Sequence, residues 1–332
     1  MNRRLLLLLA LLGPATLAVA AAPASRLFAA VSMTKAQRNS PTPLDSGLYV
    51  RDAAGQWTLF GPRILGVVSV TQSPSHPEIM LLASADGVVR TADGGRTWRK
   101  TTGWEVADVR GFAYDSGNPD RIYAATAWGP LRSADGGATW ELAQAGLDRL
   151  YCQTLVADVK QSGRVLLGLE HGLAVSTDGA HSWRRVDFPD VTVLRLVQSA
   201  ADPRLLLATT EGRGAWLSHD GGATWAATDP GSAHANLYTA TISPQDPARL
   251  AVGGWGTGVR VSADGGATWT DRSAGLPVRN VFVVAFDPDV RGRLWASTFE
   301  EGTFYSDDLG ATWHDGGLYG AYAYDFVFLP GR

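Results

Sequence analysis

The sequence predicts an all-β protein, a seven-bladed β-propeller of four-stranded antiparallel blades closed by N- and C-terminal strands that share one blade. Three observations carry this. A tract of the form Ser/Thr-x-Asp-Gly-Gly-x-Thr-Trp recurs six times, and its aspartates Asp93, Asp135, Asp178, Asp220, Asp264 and Asp308 stand 42, 43, 42, 44 and 44 residues apart. Each interval holds four short β-rich runs separated by Gly, Pro, Asn and Asp. The two ends of the chain carry complementary fragments of the same unit. A repeat at this period is one supersecondary unit arrayed many times. Four antiparallel strands in each unit make a propeller blade.

The unit is plainest at 281–316. VFVVAFDP reads as a first strand with a mostly apolar face, RLWASTF as an alternating second strand, GTFYSD as a third and ATWHD as a fourth. The aspartate tract is then the turn between strands three and four. Its Asp accepts backbone N–H bonds and its glycines supply positive φ. Its Thr and Trp begin the outgoing strand, with the indole packed between neighbouring sheets. A degenerate seventh copy, GLYVRDAAGQW at 47–57, contains Asp52, Gly55 and Trp57, one residue shorter than the others. Trp57 precedes Trp98 by 41 residues, which keeps the period.

RLFAAV at 26–31 matches the second strand but has no first strand before it. AYDFVFLP at 323–330 matches the first strand but has nothing after it. Joining them completes the seventh blade and removes the open sheet edges. A basic residue also repeats at the start of the second strand, at Arg26, Arg121, Arg164, Arg204, Arg249 and Arg293, with Glu78 interrupting the series. These positions adjoin the turn side of the blade, so they are read as structural.

Residues 1–22 read as a signal peptide and 23–332 as the propeller. Arg3 and Arg4 precede the apolar run at 5–12, and Ala18-Val19-Ala20 offers a cleavage site. The apolar run is short for a bilayer span. The expectation is therefore an exported chain, periplasmic or extracellular, a monomer with no stable membrane anchor after leader removal. A formal charge of −3 gives no basic footprint for nucleic acid. Cys152 is the one cysteine, which excludes an intrachain disulfide, and its place in a strand suggests a buried, inert thiol.

Repeats of S-x-D-G-G-x-T-W at this period resemble the Asp-box (BNR) propellers. That group includes sialidases, xyloglucanases, sortilin-type luminal domains and the assembly and stability factors of photosystem II. The resemblance covers nearly all of the mature chain, and its spacing, blade count and single domain are most similar to the photosystem-assembly-factor type. It implies the fold and leaves the activity open, because one propeller carries unrelated functions.

Loops from strand four to the next blade and from strand two to strand three share one face, opposite the aspartate turns. Asp52, Asp93, Asp135, Asp178, Asp220, Asp264 and Asp308 are thus scaffold, and a site is expected among the loops that do not repeat. Trp104, Trp128 and Trp255 fall there. They could stack on a sugar or anchor a partner; the alternative is packing at the blade rim. Arg110, Arg149, Arg213 and Arg279 could take a carboxylate or an acidic segment; the alternative is solvated ion pairing. Tyr151 of the same loops is a further candidate for contact with a partner or glycan. Residues 32–46 form an insertion read as a flexible flap.

A sialidase-like reaction requires an arginine triad, a Tyr nucleophile beside a Glu, and an Asp acid/base. The Arg-Ile-Pro signature is missing, since Arg63-Ile64-Leu65 lacks the proline, and Tyr322 and Tyr324 have no assignable Glu. The xyloglucanase type uses two propellers, and one fits here. A glycosidase needs two carboxylates ~5–10 Å apart, for which Asp108, Asp148, Asp229 and Asp271 are candidates. No zinc spacing, phosphate loop or nucleophile elbow is present, so no metal, cofactor or catalytic residue is assigned. The sequence reading is an exported non-catalytic propeller binding a protein partner through its loop face, as assembly factor, scaffold or recognition module. The alternative is a glycan-active protein, either a glycoside hydrolase or a carbohydrate-binding propeller.

Overall fold

The computed structural model describes residues 25–34, 45–64, 66–228, 231 and 233–331. The segment read as a leader, residues 35–44 of the insertion, and Asp229 lie outside them. The described residues form seven four-stranded antiparallel sheets around a common axis, with no helix. Blades 1 to 6 follow the chain: β4–β7 within residues 67–100, β8–β11 within 109–142, β12–β15 within 152–185, β16–β19 within 193–228, β20–β23 within 237–271 and β24–β27 within 281–317. Blade 7 closes the ring. Its order is β28 (Ala321–Leu329), β1 (Arg26–Met33), β2 (Gly47–Arg51) and β3 (Trp57–Leu59), with Phe28 opposite Val327 and Val50. The complementary chain ends thus form one sheet, as the sequence indicated.

The first strand of each blade faces the axis and neighbours the first strands on either side. Every second strand in blades 1 to 6 is buried along its whole length, from MLLAS at 80–84 to LWAST at 294–298. The alternation expected for RLWASTF therefore does not become an inside and an outside. Adjacent blades cover both faces, so the strand needs apolar or small residues throughout. The core is accordingly divided among the blade interfaces. Leu81, Ala83 and Val88 of blade 1, for example, pack on Val109, Ile122 and Leu131 of blade 2. Close approach sets the size limit: a Cβ on Gly253 would lie 2.8 Å from Val281 Cγ1 of the next blade.

The aspartate turns have the expected hydrogen bonding. Asp135 Oδ1 accepts the N–H groups of Ala138 and Thr139 at 3.0 and 2.9 Å and the Ser133 hydroxyl at 2.8 Å; Oδ2 accepts the Thr139 hydroxyl at 2.6 Å. Ser133 Oγ in turn accepts Gly137 N–H at 2.9 Å. This network holds the turn even where glycine is replaced, for Ala180 and Leu309 keep φ of 65° and 58°. The seventh turn has Val50 in place of the hydroxyl, and among the described residues the Asp52 carboxylate accepts a single hydrogen bond, from Gln56 N–H at 2.7 Å. One expectation is corrected. At the six full turns the outgoing strand starts after the Trp, at Arg99, Glu141, Arg184, Ala226, Thr270 and His314. The Thr is bound to the Asp and the indole turns toward the preceding blade. Trp183, Trp313 and Trp57 donate Nε1–H to the carbonyls of Ala143, Arg272 and Gly316, each at 2.7 Å.

The repeated arginines are structural. Arg164, Arg249 and Arg293 pair with Asp158, Asp246 and Asp307 at 2.7, 3.0 and 2.6 Å, while Arg26 lies over the rings of Phe28 and Phe60. Asp115 joins blade 2 to blade 3 by accepting the Ser162 hydroxyl and Gly163 N–H, both at 2.6 Å.

Two expectations follow from closure and from the turns. Deleting residues 321–332 removes the inner strand of blade 7 and exposes β1, so the whole ring should lose its cooperative thermal transition; a truncated chain that melts like the parent contradicts this closure. Stability should also fall in acid. Hydrogen bonds from Thr224, Thr268 and Thr312 hold Asp220, Asp264 and Asp308 down at about 2. Burial pushes Asp115 upward, but its hydrogen bonds outweigh that and leave it at about 2. A depressed carboxylate stabilises the fold above its unfolded pKa of about 4 and ceases to do so as pH falls through the folded value. Melting temperature measured against pH should therefore drop between about pH 4 and pH 2.

Candidate functional site

In each blade the first and second strands are out of register by one residue at the loop-face end. The residue skipped by the pairing is Val68, Arg110, Gln153, Leu194, Tyr238, Phe282 or Tyr324, in blades 1 to 7 respectively. Bulges of this kind re-aim a side chain and are common beside functional sites. None of the seven is buried. Together they ring the mouth of the axial channel.

The ring has two unlike halves. On blades 5 to 7, Tyr238 and Phe282 stack at 5.8 Å between centroids, Phe282 and Tyr322 stack at 4.4 Å, and Tyr324 meets Tyr322 edge-on at 5.1 Å. Phe299 and Trp255, from the loops after the second strands, pack against this group; Trp255 contacts Phe282 at 6.1 Å and Phe299 at 5.4 Å. Trp255 remains 47% exposed, so it both packs and presents a surface. Burial and the neighbouring Tyr322 hydroxyl push Tyr324 up to about 12, so it stays protonated and available as a donor. On blades 2 and 3, Arg110 donates to Asp108 at 2.6 Å and to the Tyr151 hydroxyl at 2.9 Å, with its guanidinium 5.8 Å from the Tyr151 ring centroid.

Beneath the mouth an ion pair crosses the axis. Arg195 of blade 4 reaches Asp325 of blade 7 at 3.0 Å, and Ser69 of blade 1 donates to the same carboxylate at 2.7 Å. A cavity of about 280 Å³ runs beside it, lined in part by Arg110, Gln153, Thr154 and Arg195. The mouth is a bowl with an aromatic wall, an arginine opposite, and a charged floor.

The structure brings Arg110 and Tyr151 together and sets Trp255 in the aromatic wall. Arg110 lies in a strand rather than a loop, as do Tyr238, Tyr322 and Tyr324. Arg279 is tied back to blade 5, donating to Asp271 of β23 at 2.6 Å and to the Thr257 carbonyl at 2.8 Å. Arg213 is exposed and makes no ion pair among the described residues. Trp104, in the connection from blade 1 to blade 2, and Trp128, in a loop of blade 2, are 91% and 61% exposed and take no part in the ring contacts of the mouth among the described residues. Of the candidate acids, Asp108 is held by Arg110. Burial works against the Asp271 carboxylate, but Ser273 and Arg279 outweigh it and hold it at about 2. Asp148 is exposed. Among the described residues no group of three or more His, Cys, Asp or Glu is arranged to hold a metal. Cys152 is fully buried, its thiol donates to the Leu150 carbonyl, and burial pushes its pKa up.

The reading of the loops passed over Phe282, Phe299, Arg195 and Asp325. Phe282, Arg195 and Asp325 stand in strands, outside the loops that do not repeat. The bulge position does repeat, at intervals of 41 to 44 residues, and changes its chemistry from blade to blade. That contrast was visible in the sequence.

The floor gives a measurable expectation. Arg195→Met leaves the Asp325 side chain, 6% exposed, without its cation. Breaking a fully buried pair costs about 3–5 kcal/mol; the arginine is one-third exposed, so about 2 kcal/mol is expected in urea denaturation. Arg195→Met combined with Asp325→Leu should recover part of that loss.

This geometry defines a seven-bladed propeller with a bowl at the loop-face mouth. No family model and no curated protein matches the sequence. Solved structures do share the fold. A GH74 enzyme of Niastella koreensis superposes with a TM-score of 0.71 at 18% identity, covering 89% of this chain and 54% of that one. The GH74 xyloglucanase of Xanthomonas campestris gives 0.61 at 20% identity, covering 75% and 45%. The chain thus spans about half the length of these enzymes. YCF48 bound to D1 peptide gives 0.60 at 17% identity, covering 77% of this chain and 82% of that one. At these identities the likeness concerns the fold.

Proposed function

We propose that this chain is an exported, non-catalytic propeller of the Asp-box type that recognises a segment of a partner protein at the loop-face mouth. The observation that carries the reading is the ring of bulge residues. Its aromatic half offers apolar contact at low conformational cost, and Arg110 opposite fixes orientation by a charge-assisted bond. Asp108, Asp271 and Asp325 are each held by an arginine, which favours binding over acid–base chemistry at the mouth. A neighbour in fold, YCF48, has been solved with a peptide bound and matches most of its own length to this chain, which supports a protein partner. The leader-like residues 1–22 support export.

A glycan ligand is the second reading. Exposed Trp104, Trp128 and Trp255 favour it, as does the fold likeness to GH74 enzymes. The two readings separate experimentally. Peptides selected from a display library against the mature chain should bind Phe282→Ala and Arg110→Ala variants roughly ten-fold or more weakly, the loss of one anchor or one charged hydrogen bond. Aryl-glycosides and polysaccharides should show no turnover. Hydrolysis that disappears in Asp148→Asn or Asp229→Asn would overturn the non-catalytic reading.

A further inference from the structure

Below the bowl the axial channel is uneven. Its cavity of about 280 Å³ lies against blades 2 to 4, with Arg110, Gly111, Gln153, Leu155 and Arg195 among the lining residues. All five belong to first strands, each of which has one free edge in its sheet. A free edge leaves backbone N–H groups without a sheet partner, and neighbouring blades serve some of them from the side. Thr154 of blade 3 accepts the N–H of Leu196 in blade 4 at 3.2 Å, and Thr239 of blade 5 accepts that of Val284 in blade 6 at 3.1 Å. The register places Gly111 of blade 2 at the level of Thr154, and Leu155 of blade 3 at the level of Leu196. The N–H of Leu155 therefore has no hydroxyl to meet from the preceding blade. A Cβ on Gly111 would meet no atom within 4 Å beyond its chain neighbours, so the place of the missing side chain is open space.

The groups around this space select a guest by charge and by hydrogen bonding. Gln153, the bulge residue of blade 3, lines the cavity, and its carboxamide makes no hydrogen bond among the described residues. The charges are balanced: Arg195 is paired with Asp325, and Arg110 with Asp108. A charged guest would lose hydration and find no net opposite charge. A neutral guest is favoured, with an acceptor for Leu155 N–H and both a donor and an acceptor for Gln153. A carboxamide meets all three demands, because two such groups can pair through two reciprocal hydrogen bonds. At about 280 Å³ the cavity is small for a drug-sized ligand and has room for an inserted side chain.

We propose that the partner segment bound at the mouth inserts an asparagine or glutamine side chain into this cavity, where its carboxamide pairs with Gln153 and fills the space left at Gly111. The inference rests on the reading of the mouth as a site for a protein segment. The aromatic wall of blades 5 to 7 then holds the segment, and blades 2 to 4 read the inserted amide.

Peptides selected from a random display library against the mature chain, titrated by calorimetry, test it. They should share an asparagine or glutamine. Replacing that residue with leucine or with its isosteric acid should weaken binding at least ~10-fold, the scale of a buried polar group left unpaired. Gln153→Leu should weaken the amide peptide by a similar factor and leave little difference between it and its leucine counterpart. Gly111 has no positive φ, so Gly111→Leu fills the cavity without backbone strain and leaves the aromatic wall in place. Its melting temperature should match the parent's and its affinity should fall; if it fails to fold, Gln153→Leu decides. Phe282→Ala separates this inference from the reading it rests on. Weaker binding in Phe282→Ala with none in Gly111→Leu and Gln153→Leu overturns the insertion and leaves the mouth as a binding site. Unaltered affinity in Phe282→Ala overturns both. Peptides that share no amide, or that tolerate the acid, also overturn the insertion.

Discussion

A blade of this chain has two apolar faces and no solvent side, and everything else depends on covering both. The second strands show it most directly, buried from end to end, with alanine, glycine and serine among the leucines and valines so that neighbouring sheets fit. A row of such blades would leave two raw faces at its ends. Closing the ring removes them, and it requires the first strand of the last blade to come from one end of the chain and the rest from the other. Phe28 between Val50 and Val327 is therefore where the fold is secured.

Two repeated features sit at opposite ends of every blade and do opposite work. The aspartate turns hold nearly the same residues each time, because one carboxylate, two hydroxyls and two backbone N–H groups must meet in a fixed geometry. The bulges hold a different residue each time, because their geometry is made by backbone register and places no demand on the side chain. Six turns are kept alike by their chemistry, whereas the seven bulges are free to vary. That freedom separates the Tyr238–Phe282–Tyr322 stack from the Arg110–Tyr151 pair across the axis.

The closing blade departs from the pattern on both faces. Its turn lost the hydroxyl and one residue, and a cleft of about 510 Å³ lies beside it, lined in part by Arg51 and Trp295. Its inner strand supplies Asp325 to the floor of the bowl and Tyr322 and Tyr324 to the wall. Irregularity is tolerated there because β28 and β1 pair over their full lengths and hold the blade without help from the turn.

The sequence alone determined the blade count, the order of strands and the closure, since those follow from period and from local turn chemistry, which act over a few residues. It also placed Asp93 and its counterparts in the turns between third and fourth strands. Which side chains share a site was decided by the tertiary structure. Arg195 and Asp325 are 130 residues apart and meet because the ring brings blades 4 and 7 across one axis. Arg110, expected in a loop, lies in a strand, as does Tyr238, and the bulge turns both to the channel. Arg279 shows the converse: a plausible binding residue in one dimension, it is bound back to blade 5 in three, because Asp271 and the Thr257 carbonyl lie within its reach.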